Sequence, residues 1–365
     1  MKSSTELTRQ LQLLLTSFVN EQINVHNGVL LVEGPWFKWK GTSGMAFPED
    51  AIPMLPDDQF NIDSIAKMMT ATIVMKLVEA KELGLDDRIS RYLPSTLIEG
   101  LHVYEDQSYG EMISIRQLLS HTSGIADNWA QPEFFDLIGA DPQKRWEPEE
   151  TIEFVKKNCP PAFCPGDGFQ YSDPGYNLLG LIIEEVMGSA LHQTYRELLL
   201  DPLGMEHTYR PSKETARPSL PGREPSHRYL DDMECTLLPA VMTADWAGGG
   251  LIATTEDLNR FLRAFVRNEI FELPSTRAAM FNWVKSGPFN NYGFGISRVL
   301  FDRSDNPQHT GLGEVWGHTG SSDNFMYYWP QKEVTMVGTL NQINCENNLY
   351  DNVALIMRTI LTYST

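Results

Sequence analysis

The 365-residue chain has few basic residues for its size. Lysine and arginine number 29 against 48 aspartate and glutamate residues, which gives a formal net charge of −19. An acidic surface repels phosphate backbones, so we expect no nucleic-acid partner. The balance instead favours solubility, and with 42% hydrophobic residues the chain can bury a sizeable core.

Long hydrophobic runs are also absent. The segment Leu11–Leu15 is too short for a signal peptide or a membrane span, and Gln12 interrupts it. It predicts an amphipathic helix over about residues 5–23. We therefore expect no membrane span, and the chain as written predicts a cytoplasmic protein. A signal peptide already removed would instead place it in the periplasm or outside the cell.

Cysteine is scarce, with four residues: Cys159, Cys164, Cys235 and Cys345. Cys159 and Cys164 frame a Pro-Pro turn, but no Cys/His pair follows at zinc-like spacing, so we expect no metal site. A disulfide between these two residues would need an oxidising compartment, and free thiols are the default in the cytosol. Nothing in the sequence implies a cofactor.

A Gly-x-Ser-x-Gly elbow is missing, which argues against the nucleophile arrangement of α/β-hydrolases. His121, in a His-Thr-Ser-Gly turn, is therefore interpreted as a structural hydrogen-bonding residue rather than a catalytic base. The triplet Ser322-Asp323-Asn324 is interpreted as a loop.

The chain does contain clearly patterned segments. Residues 28–46 predict a β-hairpin, and residues 64–82 predict a helix that is apolar almost all round and hence buried. The middle of the chain is typical of helices, with no convincing strand between about 85 and 245. The other predicted helices begin at Trp146 or span 176–187, 191–200, 255–268 and 347–362, and the later strands span 251–253, 293–301, 315–318, 324–329 and 334–340.

Strands at both ends around a helical middle predict an α/β fold of the α+β type. Its antiparallel sheet is flanked by helices from both chain ends, and an all-helical domain is inserted. The α/β domain would be discontinuous, over residues 1–84 and 246–365, with the insertion over 85–245. Four aromatic side chains of the insertion would either line a cleft or belong to the core: Trp129, Phe134, Phe135 and Trp146.

Ser64 and Lys67 lie three residues apart at the start of the buried helix, so both face the same space. Asp63 is the predicted N-cap. A serine hydroxyl needs a base to become a nucleophile, and a partly desolvated lysine can be that base or polarise another. Taken alone, a Ser-x-x-Lys pattern arises by chance about once in a chain of this length.

Two further triplets carry chemistry. Tyr171-Ser172-Asp173 precedes a predicted helix, and its tyrosine phenol can act as a general acid or base. His318-Thr319-Gly320 ends a predicted strand, where a small residue lets a ligand lie beside the strand edge. The backbone N–H groups of Ser64 and Ser321 would then form an oxyanion hole. Taken separately, the first triplet could be a buried tyrosine followed by a turn, and the second could be an ordinary turn at the end of a strand.

In this order, the three motifs resemble those of the serine β-lactamase and penicillin-binding-protein superfamily. The similarity is to its class C-like branch, which includes class C β-lactamases, D-alanyl-D-alanine carboxypeptidases, D-aminopeptidases and family VIII esterases, and it extends over about residues 25–345. It implies a two-step acyl transfer in which Ser64 attacks the carbonyl while Lys67 and Tyr171 shuttle the proton. The substrate-binding residues would be Asp173, His318, Thr319 and Gly320.

Two departures bear on the substrate. His318 stands where class C β-lactamases usually carry lysine, and a largely neutral imidazole anchors a carboxylate weakly, so strong penicillin turnover is not expected. Asp173 stands where many members have asparagine, and an ionised aspartate cannot donate a hydrogen bond. It would either pair with Lys67, raising the lysine's pKa and leaving Tyr171 as the base, or hold a substrate ammonium.

The sequence therefore predicts a serine hydrolase that cleaves a small amide or ester. A D-Ala-D-Ala carboxypeptidase or D-amino-acid peptidase comes first, and a β-lactamase-related activity belongs to the same group. A family VIII-type carboxylesterase is the alternative, and a catalytically silent scaffold or penicillin-binding sensor is a third hypothesis. The expected partner is a small-molecule, short peptide or ester substrate, and the oligomeric state is left open.

Overall fold

The structure is a computed structural model that describes residues 4–345 and 348–363. The strands within these residues are β1 Asn27–Gly34, β2 Phe37–Phe47, β3 Ile52–Pro53, β4 Phe60–Asn61, β5 Val103–Tyr104, β6 Gln107–Ser108, β7 Tyr229–Leu230, β8 Met233–Glu234, β9 Ile252–Ala253, β10 Val284–Lys285, β11 Asn290–Tyr292, β12 Ser297–Leu300, β13 Glu314–Gly320, β14 Asn324–Trp329, β15 Val334–Thr339 and β16 Gln342–Ile343.

The α-helices of the same residues are α1 Ser4–Asn20, α2 Ala66–Glu79, α3 Ser95–Ile98, α4 Ile115–Leu119, α5 Pro132–Ala140, α6 Pro148–Asn158, α7 Asp173–Met187, α8 Leu191–Tyr195, α9 Pro239–Ala244, α10 Thr255–Val266, α11 Pro274–Met280 and α12 Leu349–Tyr363. The predicted final helix was to begin at residue 347, which lies outside the described residues, as do the outermost residues of the predicted α/β domain.

The two ends of the chain meet in one antiparallel sheet. Its strand order is β10-β11-β12-β13-β14-β15-β1-β2-β3, and β1 joins the two halves by pairing Val29 with Thr339 and Leu31 with Val337. Helices α1 and α12 contact each other, α1 also contacts β1 and β2, and α10 contacts β14 and β15. Helices therefore cover both faces, which explains why β15 is buried at every residue. The predicted fold class is confirmed.

The segment that carries Ser64 begins as a 3-10 turn, Asp63–Ile65, which continues directly into α2. Helix α2 is buried along nearly its whole length, because its apolar residues are spread around all of its faces. The predicted N-cap at Asp63 is wrong: no capping hydrogen bond comes from its side chain, and its φ of 46° lies in the left-handed region. Its carboxylate has other partners, described below.

The middle of the chain is mainly helical, as predicted, but the expectation of no strands there is wrong in detail. Two short hairpins occur, β5–β6 and β7–β8, and β7 pairs in parallel with β16. Each of these strands has two residues, which is too short to show an alternating pattern. The division into a discontinuous α/β domain and an insertion stays a prediction. In the described part of the chain, no helix is long and apolar enough to cross a membrane.

Candidate active site

Three parts of the fold meet at the Lys67 ammonium. Its Nζ donates to Ser64 Oγ at 2.9 Å and to the Gly248 carbonyl at 3.0 Å, and it lies 2.5 Å from Asp173 Oδ1. Lys67 stands one turn after Ser64, Asp173 begins α7, and Gly248 lies in the loop before β9. Two hydrogen-bond acceptors and one carboxylate therefore surround the ammonium, although the side chain is fully buried.

The charge state of Lys67 follows from its carboxylate neighbours. Burial lowers the pKa of Lys67, but the negative charges of Asp173 and Asp245 outweigh burial and hold the pKa well above its ordinary value. Lys67 is therefore a cation at neutral pH. In this state it donates to the Ser64 hydroxyl and cannot accept its proton unless one of its own protons moves elsewhere.

Tyr171 lies two residues before the start of α7, close to Ser64 and Lys67. Both side chains lower the pKa of its phenol, and Lys67 Nζ lies 5.1 Å from the centre of its ring. Burial raises the pKa of the Tyr171 phenol more than the neighbouring ammonium lowers it. The phenol is therefore protonated at neutral pH and is placed to donate a proton.

Two carboxylates near Lys67 were missed by the sequence analysis. Asp245 Oδ1 lies 3.9 Å from Lys67 Nζ, and Asp127 Oδ1 accepts a hydrogen bond of 3.2 Å from the Asp173 backbone N–H. Burial and then the charge of Asp173 raise the pKa of Asp127 to about 7, and they raise that of Asp245 well above its ordinary value. Single aspartates in irregular segments follow no periodic pattern, so nothing local could have identified them.

His318 lies inside the protein rather than at the cavity wall. Its Nε2 accepts from the Tyr292 hydroxyl at 2.9 Å, and its Nδ1 donates to the Thr319 carbonyl at 2.7 Å. Burial and the Lys67 charge lower the pKa of His318 to about 3, so the ring is neutral. Thr319 and Gly320 complete strand β13 beside it, and direct substrate contact by this triplet stays a prediction.

His121 supports the tyrosine motif from behind. Its Nδ1 accepts from the Ser172 backbone N–H at 3.1 Å, and its ring centre lies 4.3 Å from that of Tyr171. Burial lowers the pKa of His121 well below its ordinary value. The neutral ring thus hydrogen bonds to the backbone, the structural position inferred from the sequence.

A cavity of about 400 Å³ opens above Ser64. Ser321 and Asp245 lie on its polar side, and most of its wall is apolar, including Ile138, Leu238, Val241 and Met242. The sequence did not decide whether four aromatic residues line a cleft or belong to the core. Trp129 and Phe135 line this cavity, whereas Phe134 and Trp146 belong to the core. Such a cavity is of a size and character that hold a small molecule with an apolar group.

The cations Arg228 and Lys67 near this cavity already have partners. Arg228 Nη1 donates to Asp63 Oδ1 at 2.6 Å, and Lys67 is paired with Asp173. Neither cation is therefore free to hold an anionic group of a substrate. In the described ranges, 4–345 and 348–363, no group of three or more His, Cys, Asp or Glu residues is arranged to hold a metal ion, and all four cysteines are free thiols.

Comparison with known proteins identifies the family. The family model described as Beta-lactamase matches residues 22–353. Among relatives, Esterase EstB of Burkholderia gladioli is 29% identical over 319 residues, covering 77% of this chain and 78% of the relative. Penicillin-binding protein 4 of Amycolatopsis lactamdurans is 26% identical over 290 residues, covering 77% and 70%.

The fold is shared with solved structures. D-amino acid amidase from Ochrobactrum anthropi SV3, complexed with D-phenylalanine, superposes with a TM-score of 0.82 at 22% identity, over 98% of this chain and 99% of that one. The family match spans nearly the whole chain and includes all three predicted motifs. The chain belongs to the Beta-lactamase family of serine hydrolases, as the three motifs together predicted.

Proposed function

We propose that the protein hydrolyses small amides or esters through an acyl-enzyme on Ser64. The observation that carries this proposal is the contact of 2.9 Å between Lys67 Nζ and Ser64 Oγ, at the floor of an apolar cavity. Nucleophile, proton carrier and substrate space are thus adjacent, which is the arrangement that acyl transfer requires.

The proton path runs through Lys67. As Ser64 Oγ bonds to the substrate carbonyl carbon, its proton moves to Lys67 Nζ, and Lys67 passes one of its own to Asp173. As the bond between the carbonyl carbon and the leaving group breaks, the leaving group takes the Tyr171 proton, which Lys67 replaces, and Asp173 returns a proton to Lys67. Water then attacks the acyl-enzyme, and Ser64 Oγ regains a proton by the same path as its bond to the carbonyl carbon breaks. In this route the Lys67–Asp173 ion pair accepts the Ser64 proton. Neither Lys67 nor Tyr171 could accept it alone, because Lys67 is cationic and the Tyr171 phenol is protonated at neutral pH.

The developing oxyanion would be held by the backbone N–H groups of Ser64 and Ser321. Both residues line the cavity, and Ser64 lies in the turn that begins α2, where backbone N–H groups lack intrahelical partners. The backbone of Thr319 and Gly320 would lie along the bound substrate. His318 would act indirectly, by fixing Tyr292 and the end of β13.

The cavity's charges select among substrates. Asp173 already pairs with Lys67, and Asp63 pairs with Arg228, so neither cation would hold a substrate carboxylate. This disfavours β-lactams and carboxypeptidase substrates. It favours a D-amino-acid amide or peptide, whose ammonium would lower the pKa of Asp245 and pair with its carboxylate. A neutral ester is the second candidate, supported by the esterase relative.

The test is a matched panel of chromogenic substrates with the unmodified chain and Ser64→Ala. We expect turnover of D-phenylalanine p-nitroanilide and p-nitrophenyl butyrate, both lost in Ser64→Ala, and a kcat/KM for nitrocefin at least about 100-fold lower. Nitrocefin as the best substrate would contradict the charge argument. Turnover that survives in Ser64→Ala would contradict the mechanism, and a folded chain that turns over none of the three would favour the silent-scaffold hypothesis.

A further inference from the structure

Asp63, the residue immediately before Ser64, has an unusual backbone. Its φ is 46°, in the left-handed region that non-glycine residues seldom adopt, and its side chain is almost fully buried. Such a conformation is unfavourable for a non-glycine residue and persists where the surrounding contacts impose it. The contacts of the Asp63 side chain therefore hold this conformation.

The Asp63 carboxylate binds the turn between β13 and β14. Its Oδ2 accepts from Ser321 Oγ at 3.0 Å, from Ser322 N at 2.9 Å and Oγ at 2.5 Å, and from Asn324 Nδ2 at 3.3 Å. One oxygen thus collects four donors from a segment about 260 residues away along the chain. The turn that carries the Ser321 N–H is fastened to the turn that carries Ser64.

Gly320 is what lets Asp63 approach this closely. A Cβ at Gly320 would lie 2.8 Å from Asp63 Cβ and 1.9 Å from Asn324 Oδ1, and both distances are shorter than atoms tolerate. The small residue of the third motif thus makes room for the Asp63 contact. Ser322 and Asn324, two residues of the triplet predicted as a loop, thus bind Asp63.

The second oxygen of Asp63 binds a buried cation. Arg228 Nη1 donates to Oδ1 at 2.6 Å, and Arg228 Nη2 donates to the Cys235 carbonyl at 2.9 Å. Arg228 directly precedes the β7–β8 hairpin, whose Leu230 and Met233 line the cavity. Because the pair is buried, its geometry is restricted, and removing one charge leaves the other uncompensated.

We infer that Asp63 is a positioning residue that sets the distance between Ser64 and the Ser321 turn, so that both backbone N–H groups face the same oxyanion. This inference rests on the proposed function, since it needs Ser64 as the nucleophile. Oxyanion donors act through fixed placement, and a shift of about 1 Å can cost on the order of 100-fold in rate. Ser64 and Ser321 belong to different elements, and Asp63 is a direct link between them.

The test compares Asp63→Asn with the unmodified chain. Asparagine has nearly the same size as aspartate, but an NH₂ group replaces one of the two acceptor oxygens. This donor group would face another donor, either the Ser322 N–H or the Arg228 guanidinium. We expect kcat for p-nitrophenyl butyrate to fall about 10- to 100-fold, with KM within about twofold. The second-order rate of labelling by a fluorophosphonate should fall by a similar factor, because its phosphoryl oxygen would occupy the same hole.

The matched control is Asp86→Asn, which makes the same chemical change in an exposed ion pair with Arg116. Ser322→Ala is a milder second variant that removes one donor to Asp63, and we expect it to lower kcat about 3- to 10-fold. If circular dichroism shows that Asp63→Asn does not fold, Ser322→Ala becomes the variant that tests the positioning role of Asp63.

Parent-like kcat and labelling in folded Asp63→Asn, or in Ser322→Ala if the first variant is unfolded, would overturn the inference. So would a higher KM for bulky substrates with kcat and labelling unchanged, because that pattern would mean that Asp63 only shapes the hairpin wall. Failure of the proposed function is distinguishable, because the unmodified chain itself would then fail to label at Ser64.

Discussion

Asp173→Asn is the substitution that most sharply tests the proton path. The Asp173 carboxylate lies 2.5 Å from Lys67 Nζ, with both groups buried. At an effective dielectric constant of about 20, two unit charges at this distance attract by about 7 kcal/mol. The asparagine carbonyl would keep a hydrogen bond to the ammonium but would lose most of that attraction. In this variant the Asp173 charge no longer offsets the effect of burial, so the pKa of Lys67 falls.

The variant also loses the proton acceptor. In the unmodified chain the Lys67–Asp173 pair accepts the Ser64 proton, so kcat/KM should vary little between pH 7.5 and 9, above the titration of Asp127 near pH 7. In Asp173→Asn only a neutral Lys67 can accept it. A lysine with an ordinary pKa of about 10.4 is neutral in fewer than one in about 1,000 molecules at pH 7, and burial raises that fraction. We expect a loss of about 100-fold at pH 7.

The assay is kcat/KM for p-nitrophenyl butyrate from pH 6 to 9, corrected for spontaneous hydrolysis. The variant should recover about tenfold for each pH unit until Lys67 is mostly neutral, while the unmodified chain stays nearly flat above pH 7.5. Asp86→Asn controls for the loss of a surface carboxylate. A variant that keeps both the flat profile and the parent rate at pH 7 would refute the proton path through Asp173.

Two other substitutions test the cavity and the third motif. Val241→Trp should fill the apolar wall and raise KM for a bulky aromatic ester about tenfold while leaving p-nitrophenyl acetate within about twofold; equal effects on both esters would argue against this wall as the binding surface. His318→Lys places a lysine where class C β-lactamases usually carry one. It should not create penicillin turnover, because the side chain at this position lies inside the protein, where both nitrogens of the His318 ring are bonded. It should lower the free energy of unfolding by about 3 kcal/mol, measured with urea, since it buries a second cation near Lys67; an unchanged midpoint with new nitrocefin activity would contradict this explanation.

Much of the fold could be predicted because its main elements are long. The hairpin β1–β2, the buried helix α2 and the strands β13 to β15 all carry patterns that run for at least six residues. Ser64 and Lys67 meet as their i, i+3 spacing implied, since helical geometry alone brings them together. The two-residue strands were missed because pairing, rather than side-chain pattern, defines them.

The electrostatics of the site could not be predicted, because they depend on contacts between distant segments. Asp127 and Asp245 surround Lys67 from two different loops. Asp63 was predicted as a helix cap from its local position, yet its partners lie in the β13–β14 turn and at Arg228. The ring of His318 is bonded to Tyr292, a contact that no local pattern in the sequence indicates. Each of these features depends on tertiary contacts that a local pattern does not contain.

The central claim is that Ser64 is the nucleophile, and intact-mass spectrometry after incubation with a fluorophosphonate tests it most directly. The contact with Lys67 at 2.9 Å predicts a single covalent adduct that maps to Ser64 and is absent from Ser64→Ala. An adduct that persists in folded Ser64→Ala, or none on the folded unmodified chain, would contradict the account.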